Sequence, residues 1–181
     1  MKLAMDPVAP EESAVIDFAV QLLTVLGYLP RTRMVRKRTK IPFQFCKELR
    51  HTKIGVCIED SDNFLLLIQV DKRHKESKDP QPQLIAEAIA ASRILGHGSI
   101  GAKVIPGIIL VGSSPTFFKI PVTSELAQAV ESGEYPIAPT IVHAHLPDLP
   151  RPAQRLNEGM KPLDNRRHIL SCYEAFKRFV N

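Results

Sequence analysis

"KIGVCIEDSDNFLLLIQVDKRHK" spans residues 53–75, and its reading decides the fold. Two runs rich in β-branched and apolar residues flank "EDSDN", a cluster of turn formers. That pattern predicts an antiparallel hairpin, 54–59 against 64–72. The second arm is apolar on both faces, which places it in the middle of a sheet. It then turns abruptly into Gln69-Val70-Asp71-Lys72-Arg73. Several metal-dependent nucleases build their active site where a buried strand closes on a carboxylate and a lysine. The pairing of this hairpin therefore bears on function as well as topology.

A turn centred on Asp62-Asn63 pairs Ser61 with Phe64, Cys57 with Ile68 and Gly55 with Val70. Opposed residues have Cβ atoms about 5 Å apart on one face. Lys72 lies two residues beyond Val70 and shares its face, because side chains alternate along a strand. The face that would hold a metal thus presents Gly55, Val70 and Lys72, and Asp71 points away from it. Glu59, Asp60 and Asp62 sit at the turn; Asp62 is about 30 Å of strand from Lys72. Glu12 on a first helix, and Asp71 if a bulge turned it inward, are the acids that could be recruited. With neither, Lys72 is a solvated cation or a partner for Asp71 or Glu87.

Outward from the hairpin, "EESAVIDFAVQLLTVLG" (11–27) reads as a helix. Val15, Phe18, Ala19, Leu22, Leu23 and Leu26 follow the three-and-four spacing of one buried face, and Gly27 suits the stop. "TRMVRKRT" (32–39) alternates weakly, as an edge strand would. "DPQPQLIAEAIAASRILG" (79–96) is a second helix, with Asp79 as N-cap and alanines that allow close approach to a sheet. "AKVIPGIILVGS" and "TFFKIPV" read as a second hairpin around "GSSP", and "SELAQAVES" as a short helix ended by Gly133. Residues 135–162 hold six prolines and no period, which describes an extended wrapping segment. The chain closes on "DNRRHILSCYEAFKRFVN", a helix with Ile169, Tyr173, Phe176 and Val180 as its apolar stripe. The expected class is α/β: an αβββαβ core, a small mixed central sheet flanked by helices, a Pro-rich extended segment and a C-terminal helix. The 181 residues suit one domain, with 11–120 as the core and 121–181 wrapping it.

Composition is ordinary for a folded protein, and no apolar run approaches the ~20 residues that span a bilayer. The N-terminus does not read as a secretory signal, so an intracellular location, cytoplasmic or nuclear, and no membrane partner are expected. Three cysteines without a CxxC pair predict free, mostly buried thiols. The net charge of +5 is unevenly placed. Arg31, Arg33, Arg36, Lys37, Arg38, Lys40, Lys47, Arg50 and Lys53 face one acid, Glu48, across 31–53. Such a segment can meet a phosphate backbone, with Arg73 added from the central strand; its plain alternative is a solvated strand. No aromatic stacking platform is interleaved.

Three shorter motifs weigh less. "GHGSIG" (96–101) matches GxGxxG, but a helix precedes it and a strand follows, the reverse of a dinucleotide site. "HAH" places His143 and His145 on one side of an extended segment, yet zinc needs three or four ligands. "GSSPT" lacks the second glycine of a nucleophile elbow.

The succession αβββαβ with a lysine closing the third strand resembles the PD-(D/E)XK nuclease superfamily, the restriction-endonuclease-like fold, over about residues 11–120. More narrowly, "LLLIQVDKRH", "DPQPQLIAEAIAA", "IPGIILVGSSPTFFKIPVT" and "EGMKPLDNRRHIL" resemble a group of fungal nuclease-like proteins, mainly from mushroom-forming basidiomycetes. Members of that group read Gln-Glu-Asp-Lys-Arg where this chain has Gln69-Val70-Asp71-Lys72-Arg73. They read Thr-Asp-Val-Cys where it has Ile54-Gly55-Val56-Cys57. The resemblance implies Mg²⁺ held between an acid on each of two strands, with the lysine positioning the attacking water. Here both acids are replaced, by Gly55 and Val70.

The leading expectation is a nuclease-like fold that has lost catalysis, keeps Lys72 as a vestige, needs no cofactor, and binds nucleic acid or a protein partner. One alternative is an active nuclease that uses Mg²⁺ or Mn²⁺ on recruited Glu12 and Asp71. Another is a protein–protein interaction module with no role in nucleic-acid chemistry.

Overall fold

The arm that ends in Gln-Val-Asp stands third in a six-stranded sheet of order β1-β2-β3-β4-β5-β6. The computed structural model describes residues 12–60, 63–71, 79–94, 102–150 and 158–180, with backbone alone for Glu12, Asp71 and Ile94. Its elements are α1 (Glu12–Val25), β1 (Arg33–Phe45), β2 (Glu48–Asp60), β3 (Asn63–Asp71), α2 (Gln81–Ile94), β4 (Lys103–Val111), β5 (Ser114–Val122), α3 (Ser124–Ser132), β6 (His143–His145) and α4 (Leu163–Phe176), which tightens into a 3₁₀ turn, Lys177–Phe179. Among the described strands, only β3 and β4 pair in parallel. Every other neighbour is antiparallel. The class is therefore α/β with a mixed central sheet, in the expected αβββαβ order. "GHGSIG" (96–101) lies outside the described residues.

Each face of the sheet has its own apolar layer. Val15, Leu23, Val56, Ile68, Leu110 and Tyr173 belong to the layer under α1 and α4. Ile54, Leu67, Leu84, Ala88, Ile105 and Ile109 belong to the layer under α2 and α3. Helix α2 presents small residues to the sheet, and Gly107 on β4 accepts it: a Cβ at Gly107 would stand 3.0 Å from Leu84 Cδ2. Leu84 is fully buried there, a contribution of roughly 1.5–3 kcal/mol. Asp79 Oδ1 accepts the Gln81 N–H at 3.0 Å, as its N-cap reading required. Helix α1 ends where expected: Gly27 takes φ 70, and Tyr28 N donates to Leu23 O.

The first hairpin is longer than the sequence suggested. The edge strand expected over 32–39 runs to Phe45 and returns from Glu48, because Ile41 and Phe43 carry the apolar pattern on. Cys46 and Lys47 form the turn with φ 52 and 64, left-handed values at two non-glycine residues. Their backbone supplies the reason. Cys46 N donates to Val130 O at 3.0 Å and Lys47 N to Glu131 O at 2.7 Å, so the turn caps the last carbonyls of α3. Gly133 ends α3 with φ 76 directly against Cys46, to whose Cα a Cβ would come within 3.2 Å. The ribbon β1–β2 is thus tied down at its tip. Of the three thiols only Cys57 is buried; Cys46 is exposed and Cys172 half-buried, contrary to the expectation of mostly buried cysteines.

Register departs from expectation by one residue. The ladder runs Asp60↔Asn63 and Glu59↔Phe64, slips at Ile58/Glu59, and continues Ile58↔Leu66, Cys57↔Leu67 and Val56↔Ile68. The strands close one residue earlier than a turn centred on Asp62-Asn63 would have them, and a bulge absorbs part of the difference. A second irregularity lies further along. On β1 the pairing passes from Lys37↔Val56 to Thr39↔Ile54 across Arg38, whose φ is 53. Val56 faces the α1 layer and Ile54 the α2 layer, although two residues apart on a regular strand would share a face. The ribbon therefore turns over at Arg38 and Gly55.

Candidate functional site

The frame at the end of β3 is assembled by these two irregularities. A one-residue slip alone would send Gly55 to the face opposite Val70. The turnover at Gly55 brings it back: a Cβ there would lie 3.4 Å from Val70 Cγ2. The two positions meet, by a different route from the simple hairpin. The same Cβ would stand 3.0 Å from the Ile68 carbonyl oxygen, so this glycine permits a close backbone approach. Val70 is 8% exposed, belongs to the α1 layer and pairs with Leu110 on β4. A carboxylate at either position would meet backbone oxygen or apolar side chains. The Asp71 backbone pairs with Val111. The Asp71 and Glu12 side chains, and all of Lys72 and Arg73, lie outside the described residues. Among the described residues no three of His, Cys, Asp and Glu group so as to hold a metal ion.

The basic segment divides into two parts on β1. One part is internal. Arg36 Nε lies 2.6 Å from Glu59 Oε2, and that carboxylate is buried at 6% exposure. Burial of a carboxylate demands such a partner. Cys57 Sγ donates to the other oxygen at 3.5 Å, and burial of the thiol beside it pushes the Cys57 pKa up to about 12. Lys37 Nζ reaches Asp17 Oδ1 on α1 at 2.6 Å. Arg33 Nη1 donates to the Tyr28 carbonyl at 3.4 Å. These cations fasten the edge strand to its neighbours.

The other part faces outward. Lys40 is the direct cross-strand partner of Lys53, and Pro42 of His51. Lys40, His51 and Lys53 are exposed, and Arg38 is exposed at the turnover next to them. Directly opposed like charges destabilise an antiparallel pair. Neither lysine makes an ion pair among the described residues. Lys53 belongs to the basic segment of the sequence, but the register of the long hairpin is what sets it opposite Lys40 and adds His51, which its local sequence does not single out. Arg31 is exposed one turn before β1.

Below the lysine pair, Gln83 on α2 donates to the Lys53 carbonyl at 3.5 Å and to Glu87 Oε1 at 3.1 Å. Glu87 is fully buried, and its Oε2 has no hydrogen-bond partner. Burial drives its carboxyl up to about 8, with the Gln83 bond opposing, so the side chain is neutral at physiological pH.

Compared with known families and with curated proteins, the chain matches no family model and no curated sequence. Among the described residues no helix is long and apolar enough to cross a membrane.

Proposed function

We propose that this chain is a nuclease-like module without cleavage activity that binds nucleic acid through the phosphate backbone along the outer face of the β1–β2 ribbon. The observation that carries the reading is the pair Lys40↔Lys53 with Arg38 and His51 beside it. A tied-down strand pair that sets two lysines opposite each other is electrostatically poor alone and complementary to an anionic strand. Loss of cleavage is supported by the close approach at Gly55 and the apolar setting of Val70, which leave the frame without the two acids that Mg²⁺ or Mn²⁺ would need.

Fluorescence anisotropy with labelled single- and double-stranded DNA and RNA tests it across a salt series. Three phosphate contacts predict a log–log slope against salt of about −3 on duplex DNA. The double variant Lys40→Glu/Lys53→Glu should lose affinity by an order of magnitude or more with its fold intact. If no nucleic acid binds even at low salt, the interaction-module alternative takes its place. If Mg²⁺ supports cleavage that Lys72→Ala abolishes, the active-nuclease alternative does.

A further inference from the structure

At the opposite edge of the sheet, β6, α4 and the 3₁₀ turn enclose a cavity of about 440 Å³, within the range of small-molecule sites. Its floor is aromatic. Phe117 on β5 packs edge-on against Tyr173 and tilted against Phe176, each with centroids 5.0 Å apart, and Phe179 follows Phe176 at 5.7 Å. Its rim is basic. Lys119 Nζ lies 5.1 Å and Arg178 Cζ 4.8 Å from the centroid of the same Phe179 ring. Lys119 is the cross-strand partner of His143. His145, two residues on, stacks loosely on Phe117 and brings Nε2 to 3.6 Å from Cys172 Sγ. Among the described residues the lining contains no aspartate or glutamate. Neither Lys119 nor Arg178 makes an ion pair among the described residues.

Lys119 and Arg178 thus bring two positive charges to one ring, and no acid among the described lining residues offsets them, which leaves the rim complementary to an anion. The cavity is also apolar below, where Phe117, Phe118, Phe176 and Phe179 line it. We propose that it binds a small anion carrying a planar heteroaromatic ring, of the nucleoside-monophosphate class. The phosphate would lie between Lys119, Arg178 and His143, and the ring would lie over the Phe117, Phe176 and Phe179 floor. A phosphate suits the rim better than a carboxylate because three donors meet three oxygens. This site is independent of the β1–β2 ribbon.

Isothermal titration with AMP, GMP, CMP and UMP, with adenosine and inorganic phosphate as half-ligands, tests the proposal. Saturable one-site binding of at least one monophosphate is expected, with each half-ligand at least tenfold weaker than AMP or its preferred counterpart. Lys119→Ala and Arg178→Ala should each weaken binding at least tenfold while leaving the thermal midpoint within a few degrees. Lys40→Glu/Lys53→Glu should leave it unchanged, which separates this site from the ribbon. Bound ligand should slow alkylation of Cys172 by iodoacetamide severalfold and leave Cys46 unaffected, as read by peptide mass spectrometry. The proposal is overturned by absence of saturable binding for all four nucleotides, by phosphate binding as tightly as they do, or by unchanged affinity in both single variants.

Discussion

The two edges of the sheet use positive charge in different ways. At one edge β1 is 13 residues long, and its cations are mostly spent on holding it in place. Arg36 compensates the buried Glu59, and Lys37 anchors to α1. Among the described residues of this ribbon, charge accumulates without an internal ion pair around Lys40 and Lys53. At the other edge β6 has three residues, all exposed, so the edge is blunted by its shortness instead of by a run of charge. There the aromatic cluster of Phe117, Phe176 and Tyr173 does the packing, and Lys119 and Arg178 are left to the rim of a cavity. A count of basic residues along the sequence points to the first edge alone, because the second assembles its charges from segments about sixty residues apart.

The sharpest way to break this contrast is to attack the packing that the second edge relies on. Phe117→Ala should lower stability by about 3–5 kcal/mol, as large-to-small changes of buried aromatics do. Chemical denaturation would check it, and a loss below about 1 kcal/mol would mean that the β6 edge is not held by its aromatic core.

Glu87 probes the ground beneath the first edge. Its carboxyl is neutral in the folded chain up to about pH 8, whereas the unfolded chain ionises it near 4.5. The unfolded state therefore sheds the proton first as pH rises. Stability should be flat below about pH 4.5, fall between there and pH 8, and level off above. The drop is on the order of 3–5 kcal/mol at about 1.36 kcal/mol per pKa unit. Denaturation curves of Glu87→Gln should lose that fall and exceed the wild type at pH 8. An unchanged pH profile would show that the carboxyl is solvated.

Smaller effects separate the two kinds of cation on β1. Arg36→Ala leaves Glu59 buried without its partner and should lower stability by about 1–3 kcal/mol, with little change in nucleic-acid affinity. Lys53→Gln removes the repulsion with Lys40 and should leave stability unchanged or raise it by about 0.2–1 kcal/mol, while weakening nucleic-acid binding. If the two variants exchange these behaviours in parallel melting and anisotropy measurements, the division of β1 into fastening and outward-facing charges fails.

Much of the architecture was legible locally. The apolar spacing of Val15, Ala19 and Leu23, the cap at Asp79 and the stop at Gly133 each act within a few residues, and each formed as read. The frame at β3 was legible only in outline. Gly55 does meet Val70, but through a bulge and a turnover that simple alternation does not foresee. The left-handed turn at Cys46 and Lys47 carried no glycine or asparagine to announce it. The carbonyls of α3, about 85 residues later, hold that turn in place.

By itself the sequence determined most of the elements, the αβββαβ order of the core, the α/β class and the absence of acids at positions 55 and 70, since these follow from side-chain period and residue identity. Only the tertiary structure decided which charges are used up and which face outward. It set Lys40 across from Lys53, buried Glu59 under Arg36, and brought Lys119, His145, Cys172 and Arg178 around one cavity. Charge compensation and cavity lining depend on distances between residues far apart in the chain, and those distances exist only once the sheet is paired and its helices are packed on it.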